Sequence, residues 1–282
     1  MTSSRLRSLS QACQEAQESG DESKQAQAHA KLGKYFLSRN NYREASQHYQ
    51  KSSQIYTELC MNRHLIRVLN HLGVCKTMLG HPGEAIEDLQ RALNLQEEGE
   101  PNKHLQSAIL GNLGLAYSRL SDYTKALKYH RSAFDLSEEL QDPQLQLQAQ
   151  INLADVLLHA GHADQAHNTA LKALALAEEI DAKRSMISTL DLLGMISTRQ
   201  GDLRTAIDYH AQAAQAAEEQ GDLHRQGIAL ANKALALEGL TELQEAQKTM
   251  QKAQEIFTTL QSNYRKKTQQ DLQRIKKGLE KR

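Results

Sequence analysis

The sequence predicts an all-α fold, a solenoid of stacked helix pairs, and three observations carry that prediction. The composition is the first. Only 3 prolines and 15 glycines interrupt 282 residues, β-branched runs are absent, and the helix formers Ala, Leu, Gln and Glu are abundant. The second is an alanine that returns in phase at Ala45, Ala85, Ala126, Ala166, Ala206 and Ala246, at spacings of 40, 41, 40, 40 and 40. A small residue follows each by seven positions: Ser52, Ala92, Ala133, Ala173, Ala213 and Ala253. The third lies upstream in the same register, as Leu32-Gly33, Leu72-Gly73, Leu113-Gly114, Leu153-Ala154 and Leu193-Gly194, with Lys233-Ala234 as a weaker sixth copy. Where two antiparallel helices cross closely, a side chain larger than methyl holds their axes apart, so small residues in phase mark the crossings.

Taken in order, the chain opens with a helix over about 3–18, the second half of a degenerate repeat, with Ala12 forty residues before Ser52. Six helix pairs follow, over about 23–59, 62–97, 103–140, 143–180, 183–220 and 223–261. Within each pair a turn residue ends the first helix: Asn40, Gly80, Ser121, Gly161, Gly201 and Thr241. Pro82 opens a second helix and Pro143 a first helix, where the missing N–H does no harm. Pro101 falls in the longest connection, EEGEPN. A last helix runs over about 264–281. One such pair cannot bury its own apolar stripe, so the chain folds by stacking. The expected division is a capping half repeat at 1–22, six repeats at 23–261 and a basic capping helix at 262–282.

The stretch Asn112–Leu140 shows the unit most fully. Leu113, Gly114 and Tyr117 mark its first helix, and Tyr123, Ala126, His130 and Ala133 its second. These residues resemble the tetratricopeptide repeat, and units of about 40 residues look like those of kinesin light chains. They are also similar to the Leu-Gly-Asn repeats of G-protein-signalling modulators. The resemblance covers roughly 23–261. It implies a right-handed superhelix with the first helix of each pair on the concave face. It also implies a non-catalytic scaffold or adaptor that binds a peptide or helix of a partner in that groove. The alternative it implies is a regulatory sensor for a small ligand or signalling peptide. The asparagine expected after Leu-Gly is replaced by Lys34, Val74, Leu115, Asp155 and Met195. The basic residues of the heat-shock-chaperone clamp are not matched by Ala30, His71 and Ala108.

Counted from the Leu-Gly pair, the inner face is expected to present Lys34, Arg67, Asn70, Val74, Leu115, Asn152, Asp155, Asp191, Met195 and Arg199. Amides there suit an extended backbone and charges select side chains. Asn112, Asn152 and Asn232 are equally suited to bracing neighbouring helices. Arg67 and Asp191 stand out because an inward charge has no evident packing reason.

No phosphate-binding glycine loop, H-E-x-x-H, G-x-S-x-G or C-x-x-C is present, so neither an enzyme nor a cofactor is expected. Cys60, His64, His71 and Cys75 share a helical stripe, but His64 and His71 are about 10 Å apart along the axis. One zinc ion with ligands near 2 Å cannot hold all four, so the cluster reads as filler between repeats. His130 and His210 stand at aromatic packing positions and read as structural. His159, His162 and His167 read as surface residues.

Net charge is +0, with sequence pI ≈ 7.2. Residues 262–282 hold eight basic and two acidic side chains, and residues 1–261 hold 26 basic and 32 acidic. Tyr264, Leu272, Ile275 and Leu279 form an apolar stripe on that basic helix, as a cap requires. The same helix also suits docking to an acidic partner or surface. The expected partner is a protein or peptide, without nucleic acid and without stable membrane insertion. Three cysteines without paired spacing and no signal-like apolar segment point to a cytoplasmic protein.

Overall fold

The computed structural model describes residues 2–99 and 101–280, with side chains from Ser4 onward. Glu100, expected in the long connection, and Lys281, the expected end of the last helix, lie outside the described residues. All described secondary structure is helical. The helices are α1 (Thr2–Glu18), α2 (Glu22–Leu37), α3 (Tyr42–Glu58), α4 (Asn62–Met78), α5 (Pro82–Glu98), α6 (Lys103–Arg119) and α7 (Tyr123–Leu140). They continue as α8 (Pro143–His159), α9 (Ala163–Glu179), α10 (Lys183–Gln200), α11 (Leu203–Glu219), α12 (Leu223–Gly239), α13 (Leu243–Thr259) and α14 (Tyr264–Glu280). The six expected pairs and the two single helices are all there, with Pro82 and Pro143 as first helical residues. None of the described helices is long and apolar enough to cross a membrane.

The helices gather into two compact units, residues 1–145 and 146–282. In the first unit α2 packs on α3, α4 on α5 and α6 on α7, each pair on the next, with α1 against α2. In the second unit α10 packs on α11, α12 on α13 and α14 on α13.

Small side chains decide the crossings. Ala45, Ala85, Ala126, Ala166, Ala206 and Ala246 have no exposed surface. Ser52, Ala92, Ala133, Ala173, Ala213 and Ala253 are buried as well. Ser52 is admitted because its hydroxyl donates to the carbonyl of Ala26 at 2.8 Å, so no polar group is stranded. The Leu-Gly glycines serve a second crossing. A Cβ on Gly33 would lie 2.9 Å from the Tyr49 ring, on Gly73 2.6 Å from Leu89, and on Gly114 or Gly194 2.5 Å from His130 or His210. Each partner stands four residues after the in-phase alanine. Where the glycine gives way to Ala154, the corresponding partner shrinks to Ala170, and both are fully buried. His130 and His210 thus stand as expected at packing positions, 2% and 1% exposed.

The turns recur about every twenty residues, nearly all with one residue in the left-handed region. That residue is glycine at Gly20, Gly80, Gly161, Gly201 and Gly221, but Asn40, Cys60, Ser121, Gln141, Asp181, Thr241 and Gln261 also adopt it. The helix that follows is capped at Asp21, Asn41, Asn102, Asp122, Asp202 and Asp222, whose side chains accept a backbone N–H three residues on. A side chain with a Cβ costs about 1 kcal/mol in the left-handed region. Cys60→Gly is therefore expected to raise the stability of the first unit by about 1 kcal/mol. Hydrogen exchange at α3 and α4 reads the change as slower exchange, and faster exchange there after the substitution would contradict the cost assigned to Cys60.

The cysteines are unpaired: Cys13 and Cys75 are buried and Cys60 is exposed. In α14, Leu272 and Ile275 are buried against Ala234, Leu237, Ala246 and Met250. Arg274 ties α14 to Glu238 of α12 at 2.8 Å and also pairs with Asp271 of its own helix at 2.6 Å. The expected stripe needs one correction. Tyr264, the first helical residue, is 44% exposed, although its ring stacks on Phe257 of α13 with centroids 5.2 Å apart.

Candidate functional site

The first helix of each pair supplies one wall within each unit. In unit 1, α4 touches α6, and in unit 2, α10 touches α12, although a second helix intervenes in sequence. Polar side chains brace both contacts. Asn112 donates to Asn70 at 2.8 Å, and Asn232 donates to Asp191 at 3.1 Å.

The structure divides the ten expected inner-face residues by task. Asn70 is buried, with its amide oxygen engaged by Asn112. Asp191 has the packing role that its sequence position did not reveal. Its carboxylate accepts from Asn232 and lies 2.7 Å from Nδ1 of the buried His210. Asn152 accepts from Gln148 at 2.9 Å on the same helix, and Asp155 lies 3.6 Å from His159. Val74 and Leu115 are half-buried. Lys34, Arg67, Met195 and Arg199 are exposed. Neither Lys34, Arg67 nor Arg199 has a carboxylate within ion-pair distance among the described residues.

These free side chains border two recesses. In unit 1 a cavity of about 300 Å³ lies between α2 and α4, over α3, lined by Lys34, Tyr49, Tyr56, Arg67 and His71 among others. His71 stacks on Tyr49 with centroids 5.3 Å apart, and His64 sits 5.2 Å from Tyr56. The two histidines of the metal-like stripe are thus engaged in ring packing. Burial holds the His71 imidazole below its ordinary range, and the nearby Lys34 and Arg67 push it further down. In unit 2 a recess of about 500 Å³ is lined by Leu158, Met195, Arg199, Asn232 and Leu235, with His210 behind it. Each recess joins an apolar floor to unpaired cations, which suits side chains of an incoming chain rather than a reaction centre.

Sequence reasoning passed over Tyr49 and Tyr56. Tyr49 was within reach: it stands four residues after Ala45, where the other repeats carry Leu89, His130, Ala170, His210 and Met250.

The sequence profile of the tetratricopeptide repeat matches residues 24–98 and 105–179, and a second profile of the same repeat matches 189–223. The chain belongs to the tetratricopeptide repeat family. Among curated proteins none matches its sequence. Several solved tetratricopeptide structures share its fold. A Rap protein complexed with competence and sporulation factor aligns at TM-score 0.66 and 16% identity, over 92% of this chain and 76% of that one. NprR in complex with its cognate peptide NprX aligns at TM-score 0.63 and 17% identity, over 86% and 68%. Kinesin light chain-like repeats from Podosopora anserina align at TM-score 0.57 and 17% identity, over 70% and 96%. At these identities the likeness is one of fold.

Proposed function

We propose that this tetratricopeptide repeat protein is a non-catalytic scaffold or adaptor that holds a peptide or helix of a partner against the walls built by its first helices. One observation carries the reading. Lys34, Arg67, Met195 and Arg199 are left without packing or ion-pair duties and border recesses on those walls. Exposed charge and a flexible thioether around apolar recesses are what a peptide-recognition surface requires. Nucleic-acid binding lacks support in a chain of net charge +0. In this reading the protein works in the cytoplasm, in keeping with its three unpaired cysteines.

A second reading is a regulatory sensor that binds a small ligand or signalling peptide. It is favoured by the fold shared with a Rap protein complexed with competence and sporulation factor and with NprR in complex with its cognate peptide.

Photocrosslinking tests the surface. Random peptides displayed on phage are selected on the full chain, then crosslinked to variants carrying p-benzoylphenylalanine at one site. Crosslinks are expected from Leu115 and Met195 on first helices and not from the exposed Lys128 and Lys172 on second helices. Crosslinks confined to Lys128 and Lys172, or none from a library that binds, would refute the assignment. A peptide-induced change in radius of gyration separates the sensor from the scaffold.

A further inference from the structure

Helix α14 meets α13 as the first helix of a repeat meets the helix before it. A Cβ on Gly278 would lie 3.3 Å from Leu243, the first residue of α13, just as one on Gly239 of α12 would lie 2.8 Å from Leu203, the first residue of α11. The two glycines are 39 residues apart, and the same step carries Lys233 and Ala234 to Leu272 and Gln273. Leu272 is buried at the leucine place, but Gln273 is exposed at the glycine place. At the equivalent Gly33, Gly73, Gly114 and Gly194 even a Cβ would lie 2.5–2.9 Å from a side chain of the second helix. The outward side of α14 is therefore not built to nest another helix of the repeat.

That side carries cations instead. Arg265, Lys266, Lys267, Lys276 and Lys277 are exposed, and none has a carboxylate within ion-pair distance among the described residues. Of the two acids on the helix, Asp271 is engaged by Arg274 and Glu280 stands at the end away from Tyr264. Lys266, Gln270, Gln273 and Lys277 follow at helical spacing opposite Thr268, Leu272 and Ile275, over about 17 Å.

The start of the helix adds apolar surface. Tyr264, Leu223 and Leu260 are 39–44% exposed. Tyr264 shares one ring cluster with His224 and Phe257, at centroid distances of 5.6 and 5.2 Å. Leu223 precedes His224 and Leu260 follows Phe257 by three, so the three exposed apolar side chains share this corner. Asp222, the N-cap beside them, is paired with Arg225. Cations spread along a convex helix do not converge on one rigid guest. They suit a fluid surface whose anionic headgroups come to each of them, while leucine and tyrosine enter the interface alongside. Charge also orients the approach. Residues 262–282 hold eight basic and two acidic side chains and are attracted, whereas residues 1–261, with 26 basic and 32 acidic, are repelled.

We infer that the outward side of α14 and the corner at Tyr264 dock on an anionic phospholipid bilayer, by adsorption and with no segment crossing it. This surface is separate from the recesses bordered by Arg67 and Met195, so it and the peptide-binding reading can fail independently.

The test is cosedimentation of the full chain with large vesicles at about 0.15 M salt. Vesicles of phosphatidylcholine with about one-third phosphatidylserine are expected to bind it, and pure phosphatidylcholine vesicles not. Lys266→Gln combined with Lys277→Gln should weaken binding about thirtyfold, at about fivefold for each lysine near an anionic surface. Leu223→Ser combined with Leu260→Ser should weaken it about tenfold. Lys128→Gln, exposed on α7, should change nothing. Melting temperatures should stay level, because every substituted side chain is exposed. No binding to the phosphatidylserine vesicles, or equal binding of the lysine double variant and the unaltered chain, would overturn the proposal. Unchanged binding of the leucine double variant, with heparin competing fully for the chain, would overturn it in favour of a soluble polyanion.

Discussion

Gly114→Ala is expected to destabilise the first unit by about 2 kcal/mol, and its combination with His130→Ala to cost less than the two single losses added. The added Cβ would lie 2.5 Å from the His130 ring, which is 2% exposed and has no space to retreat into. Overpacking of this kind costs about 1–3 kcal/mol. His130→Ala alone leaves a void where an imidazole packed, at about 3 kcal/mol. Together the two changes reproduce the Ala154–Ala170 pairing that the fourth repeat already uses, with both residues fully buried. The double variant should therefore lose about 1–2 kcal/mol less than the two single losses combined. Stacked repeats need not unfold in one step, so the measurement is hydrogen exchange resolved to α6 and α7. Simple additivity of the two losses would show that these side chains do not compete for one space.

Acidification is expected to weaken the first unit, with His130 as a principal cause. Burial lowers its imidazole from 6.5 to about 4. Between those values the unfolded chain holds a proton that the folded chain refuses, so unfolding takes up a proton. The stability linked to neutral His130 is complete above pH 6.5, declines as pH falls, and is fully lost by about pH 4. At 1.36 kcal/mol per pH unit the loss is about 3 kcal/mol. His29 acts in the same direction, held near 4 by burial and by the neighbouring His48 and Lys51. Denaturant titrations at pH 7, 5.5 and 4.5 measure the slope. His130→Leu, which installs the side chain that the second repeat uses at Leu89, should remove about half of it. An unchanged slope would mean that His130 is solvated in the folded chain.

The steric rhythm was open to reading because a close helix crossing tolerates little besides Gly, Ala or Ser, and those residues stay in phase whatever surrounds them. Helix limits and turn sites followed from the same phase. The candidate site was legible only in part. Lys34, Arg67, Met195 and Arg199 could be placed by counting from Leu-Gly, because exposure on a repeat face is a matter of register. The occupation of Asp191 could not. Its partners His210 and Asn232 lie 19 and 41 residues away, and only the folded pitch brings them to 2.7 and 3.1 Å. Tyr49 was hidden for the opposite reason. A tyrosine at an aromatic packing position looks like ordinary core, and only the fold shows it lining a recess. The division at residue 145 left no mark either, since the alanine spacing runs through it unbroken.

Outside the longer α5–α6 connection, the left-handed turns recur at nearly constant intervals, so the other junctions between two pairs are built like the junction within one. For a gene this makes register cheap to conserve. Recombination between any two turns an even number of steps apart deletes or duplicates a whole helix pair and rejoins like with like. Such a chain lengthens or shortens by units without needing a new loop, and its exposed side chains can drift repeat by repeat while its architecture is inherited intact.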